Sequence, residues 1–178
     1  MLKLPQVTVS LSLNVIGNLA SEVEAQIARG KQGPINDVFT KWAARYRSFA
    51  QERFDVFSKG GGDWPDLAPS TKAARKKNKK SFSILRDTNT LFAALNATFG
   101  GAPGAIEIRE MYKVVVGYGG PASHPSGGIV AEIAGFHQAG GPTLPQRKII
   151  VPPNDDLKKN MKADMVEAIK LCKTTLSR

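Results

Sequence analysis

The chain has 178 residues, 42% of them hydrophobic, a single cysteine and a formal net charge of +10. That length suits one domain burying about 70% of its unfolded surface, and the apolar share argues against wholesale disorder. The lone Cys172 excludes an internal disulfide framework and fits a reducing compartment, and no stretch reaches the ~20 apolar residues of a membrane span.

Val7, Val9, Leu11, Leu13 and Val15 alternate with Thr8, Ser10, Ser12 and Asn14. This period-two pattern predicts a half-buried strand and not the apolar run of a signal peptide. A short helix is expected over 19–29, capped by Asn18 or Ser21, with Val23 and Ile27 on one face. After Gly33-Pro34, apolar residues recur at helical spacing through Ile35, Val38 or Phe39, Trp42, Tyr46, Phe49 or Ala50, Phe54 and Phe57. Arg45, Arg47, Gln51, Glu52 and Lys59 fall on the other side, and Gly60-Gly61-Gly62 ends the helix. The aromatic stripe reads as core packing.

Trp64 and Leu67 then stand as buried anchors, Ser70 or Thr71 as a helix cap, and a cationic connector follows. A second capped helix starts near Asp87 or Thr88 and carries Leu91, Phe92 and Leu95. Ile106 and Ile108 mark one short strand and residues 112–116 another, with a turn near Glu110-Met111. Residues 118–128 hold two prolines and four glycines and read as a loop. A short helix is expected over 129–138, closed by Gly140-Gly141, and a last strand over 148–151. Asn154 caps a long C-terminal helix, 154–176, with Leu157, Met161, Met165, Ile169, Cys172 and Leu176 as its apolar stripe. The sum is an α+β fold over 1–178: a small antiparallel β-sheet packed by a few α-helices, with long Gly/Pro-rich loops.

Sites of chemistry are thinly supported. Gly117 to Ala122 formally fits a dinucleotide fingerprint, but Pro121, Pro125 and Gly127-Gly128 prevent the helix that would face a pyrophosphate. His124, His137 and Cys172 lack the convergent spacing of a zinc site, and Cys172 sits on an apolar stripe. His137 reads as a packed or capping imidazole, and Asp63 and Asp66 as turn residues. Neither G-x-S-x-G nor a Walker lysine occurs. The expectation is a protein without catalytic, metal or cofactor site.

The positive charge is concentrated. Lys72, Arg75, Lys76, Lys77, Lys79 and Lys80 fall within nine residues. Such a run favours an anionic partner, nucleic acid or an acidic protein surface. No aromatic lies between Lys72 and Lys80 to stack on bases. A solvated connector is the plainer reading, with a basic nucleic-acid-binding protein as the sharper alternative.

Four pieces occur in order along the chain. An aromatic helix ends in a glycine turn over 49–62; a W-x-x-L-x-x-x-T signature follows as Trp64, Leu67 and Thr71. Ile84, Leu85, Thr88 and Leu91 form I-L-x-x-T-x-x-L, ahead of strands ending at Val116-Gly117. His137, Gln138 and Gly140 form H-Q-x-G, and Pro145 and Arg147 a Pro-x-Arg element. In this order they resemble the bacteriophage virion morphogenesis, or tail completion, family. The likeness covers residues 35–175, with 34–178 as the family-like core and 1–33 as an N-terminal strand-helix addition. Gln146 and Lys148 depart from it, standing where the family has Ala and Pro.

The resemblance implies a structural protein of the virion neck or tail terminus, found in the host cytoplasm during assembly. It implies a homo-oligomeric ring around the DNA channel, neighbouring connector, neck or tail proteins as partners, and no membrane or small-molecule substrate. Trp64, Leu67 and Thr71 would anchor a docking arm. The lysine run would then face channel DNA or an acidic neighbouring ring.

Overall fold

The computed structural model describes residues 6–15, 17–30, 32–96 and 101–174. The fold is α+β. In chain order come β1 (Val7–Ser12), α1 (Ala20–Ala28), α2 (Gln32–Ser58), α3 (Pro69–Lys77) and α4 (Thr90–Asn96). Then follow β2 (Ala105–Glu110), β3 (Lys113–Tyr118), α5 (Val130–Ala139) and α6 (Asp155–Thr174). The strands form an antiparallel sheet in the order β1-β3-β2. Central β3 buries Val114, Val116 and Tyr118 on one face, with Val115 half-buried on the other.

The chain divides into two compact units. One comprises residues 9–46, 107–116 and 152–178. There the first half of α2 buries Ile35, Phe39, Trp42 and Tyr46, and α6 buries Met161, Met165, Ile169 and Cys172. The Trp42 indole N–H donates to the Met161 carbonyl at 3.0 Å. The Arg45 fork donates to both oxygens of Asp164, Nε at 2.6 Å and Nη2 at 2.8 Å. Asn154 Oδ1 accepts the Leu157 N–H at 2.9 Å, so the C-terminal helix starts where a side-chain cap is expected.

The other unit comprises residues 1–8, 47–106 and 117–151. Its core is aromatic. Phe54, at the end of α2, meets Trp64 edge-on at 5.0 Å and Phe92 of α4 at 5.4 Å. The Tyr118 hydroxyl closes the core by donating to the Leu91 carbonyl at 2.7 Å.

Several local expectations change. The first strand stops at Ser12, because Leu13–Val15 turn as a 3₁₀ segment before Val15 can extend it. Helix α1 begins after Leu19 without a side-chain cap, so Ser21 lies inside its first turn. Arg47, expected on the polar side of α2, is buried. Residues 148–151 form no strand, for a reason found in Gln138 below. The cationic connector is itself a helix, α3: Pro69 opens it behind Ala68, which places Ser70 and Thr71 in its first turn and not at its cap. The second capped helix begins at Thr90, two residues beyond Thr88. Leu176 lies outside the described residues.

Candidate functional site

The arm begins where α2 ends. Gly60 N–H donates to Phe57 O at 3.1 Å and Gly61 N–H to Val56 O at 3.0 Å, the paired bonds of a Schellman stop. The chain then doubles back so that Trp64, 6% exposed, wedges against Phe54 and Phe57. Its indole N–H donates to Lys148 O at 3.3 Å. Leu67 is half-buried beside it. Of the two residues, Trp64 is the one packed into the aromatic core.

Asp66 sets the entry to α3. Its carboxylate pairs with Lys72 and accepts the Leu67 N–H at 2.6 Å. The Lys72 ammonium first, and the Leu67 amide second, hold that carboxyl below the usual carboxylate range. Helix α3 ends in a second Schellman stop, Lys79 N–H to Lys76 O at 3.2 Å and Lys80 N–H to Arg75 O at 2.9 Å. Lys79 takes φ +52° there, a left-handed position that glycine usually fills. A lysine at that stop hides the helix from sequence patterning, since the customary glycine signal is missing.

The fold sorts the six cations. Arg75 turns inward and donates to Ser81 O at 2.8 Å and Ser83 O at 2.7 Å, tying the exit of α3 to its body. Lys72 pairs with Asp66, and Lys80 with Asp87 at 3.0 Å. Lys76, Lys77 and Lys79 have no acidic partner among the described residues and are exposed. Helix α3 buries no residue at all.

Phe82, 53% exposed, completes this face. It shares a groove of about 650 Å³ with Lys59, Lys72, Lys76 and Ile84. Sequence reasoning missed it because Phe82 lies two residues past the run; the turn after α3 brings the ring back among the lysines.

The H-Q-x-G and Pro-x-Arg residues form the lock on the other side of the arm. Arg147, 5% exposed, donates from Nε and Nη2 to Pro65 O at 3.1 and 3.0 Å, and from Nη2 to Asp66 O at 3.2 Å. Burial lowers its pKa and the Arg75 cation adds to this, while Asp66 opposes it. Its own backbone N–H donates to His137 O at 2.7 Å. Gln138 replaces a neighbouring strand: its Oε1 accepts the N–H groups of Ile149 (2.8 Å) and Ile150 (3.0 Å). Its Nε2 donates to Ile150 O at 2.7 Å. With Gln138 holding Ile149 and Ile150, and Trp64 and Arg53 donating to the Lys148 carbonyl, this stretch needs no strand partner. Gly140, at φ +71°, lets Gln146 approach so closely that an added Cβ would lie 2.8 Å from the Gln146 Cβ.

A cavity of about 590 Å³ collects the scattered residues. Leu67, Thr71 and Arg75 line it from the arm, and Leu85, Thr88 and Leu91 from the third piece. His137 and Arg147 line it from the fourth. Leu85 takes φ +58°, costly for a bulky side chain. His124 faces Thr88, with Nε2 2.9 Å from the hydroxyl, while its Nδ1 accepts the Ser126 N–H at 3.1 Å. That assigns the ring proton to Nε2. His137 is pushed down to about 4 by burial first and by Arg147 second, and its buried Nδ1 has no hydrogen-bond partner. It is thus a neutral, packed imidazole at neutral pH.

The charged groups here hold backbone. Arg75 and Arg147 bond carbonyls, and no group of three or more His, Cys, Asp or Glu among the described residues is placed to hold a metal. The arrangement positions an arm and displays a cationic, aromatic face. No described helix is long and apolar enough to cross a membrane. No family model, curated protein or solved structure matches the chain.

Proposed function

We propose that this chain is a structural virion protein of the phage neck or tail terminus. It would form an oligomeric ring that completes the tail or joins head to tail around the DNA channel. One observation carries the reading. The residues of the separate motifs, up to about eighty positions apart, meet on one cavity and one lock: Arg147 grips the carbonyls just after Trp64, and Leu85, Thr88, Leu91 and His137 line the adjoining wall.

The working surface is then the arm and its exposed helix, with other copies of the chain and neighbouring connector or tail proteins as partners. Light scattering of the purified protein at low and high salt, with and without duplex DNA, tests this. A discrete closed oligomer without DNA is the expected result. A chain that stays single and fails to join isolated tails overturns it.

The exposed Lys76, Lys77 and Lys79 favour a second reading, a basic nucleic-acid-binding protein. Its signature is a steep loss of DNA affinity with salt, shallower when these three and Lys80 become Gln. A slope that survives the substitutions removes the lysine run from any DNA contact.

A further inference from the structure

The β2–β3 hairpin ends in an unusual tip. Ile108, Met111 and Tyr112 are exposed within five residues, Met111 at 54%. Large apolar side chains concentrated on an exposed turn mark contact surfaces. Three acids and two bases surround it. Glu107 pairs with Arg109 at 2.6 Å, Glu110 pairs with Lys113 at 3.1 Å, and Asp37 lines a surface cavity with Arg109, Glu110 and Met111.

The groove beside α3 has a different character. Phe82 and Ile84 give it an apolar floor. Lys59, Lys72 and Lys76 stand on its rim against the single carboxylate of Asp66, already engaged by Lys72. One surface is an apolar knob among three acids and two bases; the other is an apolar hollow with a cationic rim.

We propose that the hairpin tip of one copy docks in the Phe82 groove of the next. Met111 and Tyr112 fill the floor, while Glu110 and Asp37 face Lys59 and Lys76. The occupant is a second copy of this chain. The two patches differ, so the contact is heterologous and propagates from copy to copy until it closes. This rests on the ring-subunit reading and names its interface. It also gives the cationic groove a protein partner in place of nucleic acid.

Both key side chains are exposed, so their replacement leaves the core untouched, which circular dichroism checks. Met111→Lys and Phe82→Lys, measured by sedimentation velocity, should each reduce the wild-type oligomer to the 19.2 kDa protomer. An equal mixture of the two should recover a species of two chains and no more, because only one good tip and one good groove remain. As an independent readout, the double variant F82C/M111C should give a ladder of covalent multimers on oxidation, whereas each single variant should give none beyond a pair. Cys172 is buried and does not compete.

A wild-type oligomer that neither lysine variant disturbs, with no ladder, overturns the contact and leaves the ring reading to other faces. A wild-type chain that is single at every attainable concentration overturns the contact too, and addition to isolated tails then decides the ring reading separately. Loss of DNA binding in Phe82→Lys with no change in mass would assign the groove to nucleic acid instead.

Discussion

Each unit is fastened by a tryptophan and an arginine, and the two fastenings work differently. In one, Trp42 donates to a helix carbonyl and Arg45 forks onto the Asp164 carboxylate, charge against charge. The hydrogen bond to Asp164 raises the Arg45 pKa against the opposing effect of burial. In the other, Trp64 donates to Lys148 O and Arg147 grips two neutral carbonyls of the arm. There burial outweighs the opposing Asp66 charge, and the Arg147 pKa moves down. The first fastening joins regular helices and belongs to the core. The second holds an irregular segment in place, where carbonyls left over from secondary structure need a multidentate donor.

The largest test of that contrast is Trp42→Ala, which removes a fully buried ring and its bond to Met161. It should cost about 3–5 kcal/mol in urea unfolding. A loss under half of that would mean the helix pair holds without its indole. Gln138→Leu should come next. Ile149 and Ile150 are buried, and their N–H groups would lose their acceptor, at about 1–3 kcal/mol. Gln138→Glu keeps the acceptor and should recover part of the loss.

Arg147→Met should cost less, about 1 kcal/mol, since Pro65 and Asp66 are exposed and their carbonyls can turn to water. Its effect should be local: faster amide exchange over 64–88 with little change in residues 35–46. Equal acceleration in both regions would deny the arm its separate lock.

Last comes a pH effect. The His137 pKa lies near 4 in the folded chain against an ordinary 6.5, so the unfolded chain takes up the proton first. Stability should be constant above about pH 6.5 and decline as pH falls toward 4. His137→Gln should flatten that part of the profile; if the two profiles overlay, some other group sets it.

How far these features were legible varied with their physics. The long helices α2 and α6 were plain, because an apolar stripe at 3.6 spacing survives any tertiary detail. Trp64 and Arg147 were visible as motif residues, but the bond between Arg147 and the arm was not, since it joins a side chain to carbonyls that carry no sequence identity. Helix α3 was hidden by a lysine at its stop and by the lack of any buried residue. The strand expected at 148–151 failed because side chains, Gln138 above all, supply what a neighbouring strand would. Phe82 entered the cationic face only through the turn that follows Lys80.

The sequence by itself determined the α+β class, the apolar faces of the long helices, the Asn154 cap and the concentration of positive charge. These depend on periodicity, local hydrogen bonding and composition, which are properties of neighbours along the chain. The tertiary structure alone decided which cations are spent on backbone and which stay exposed. It also decided which motif residues share a cavity, and that a hairpin tip and the Phe82 groove each leave large apolar side chains exposed. Those outcomes depend on groups tens of residues apart, brought together by burial of the aromatic and aliphatic cores.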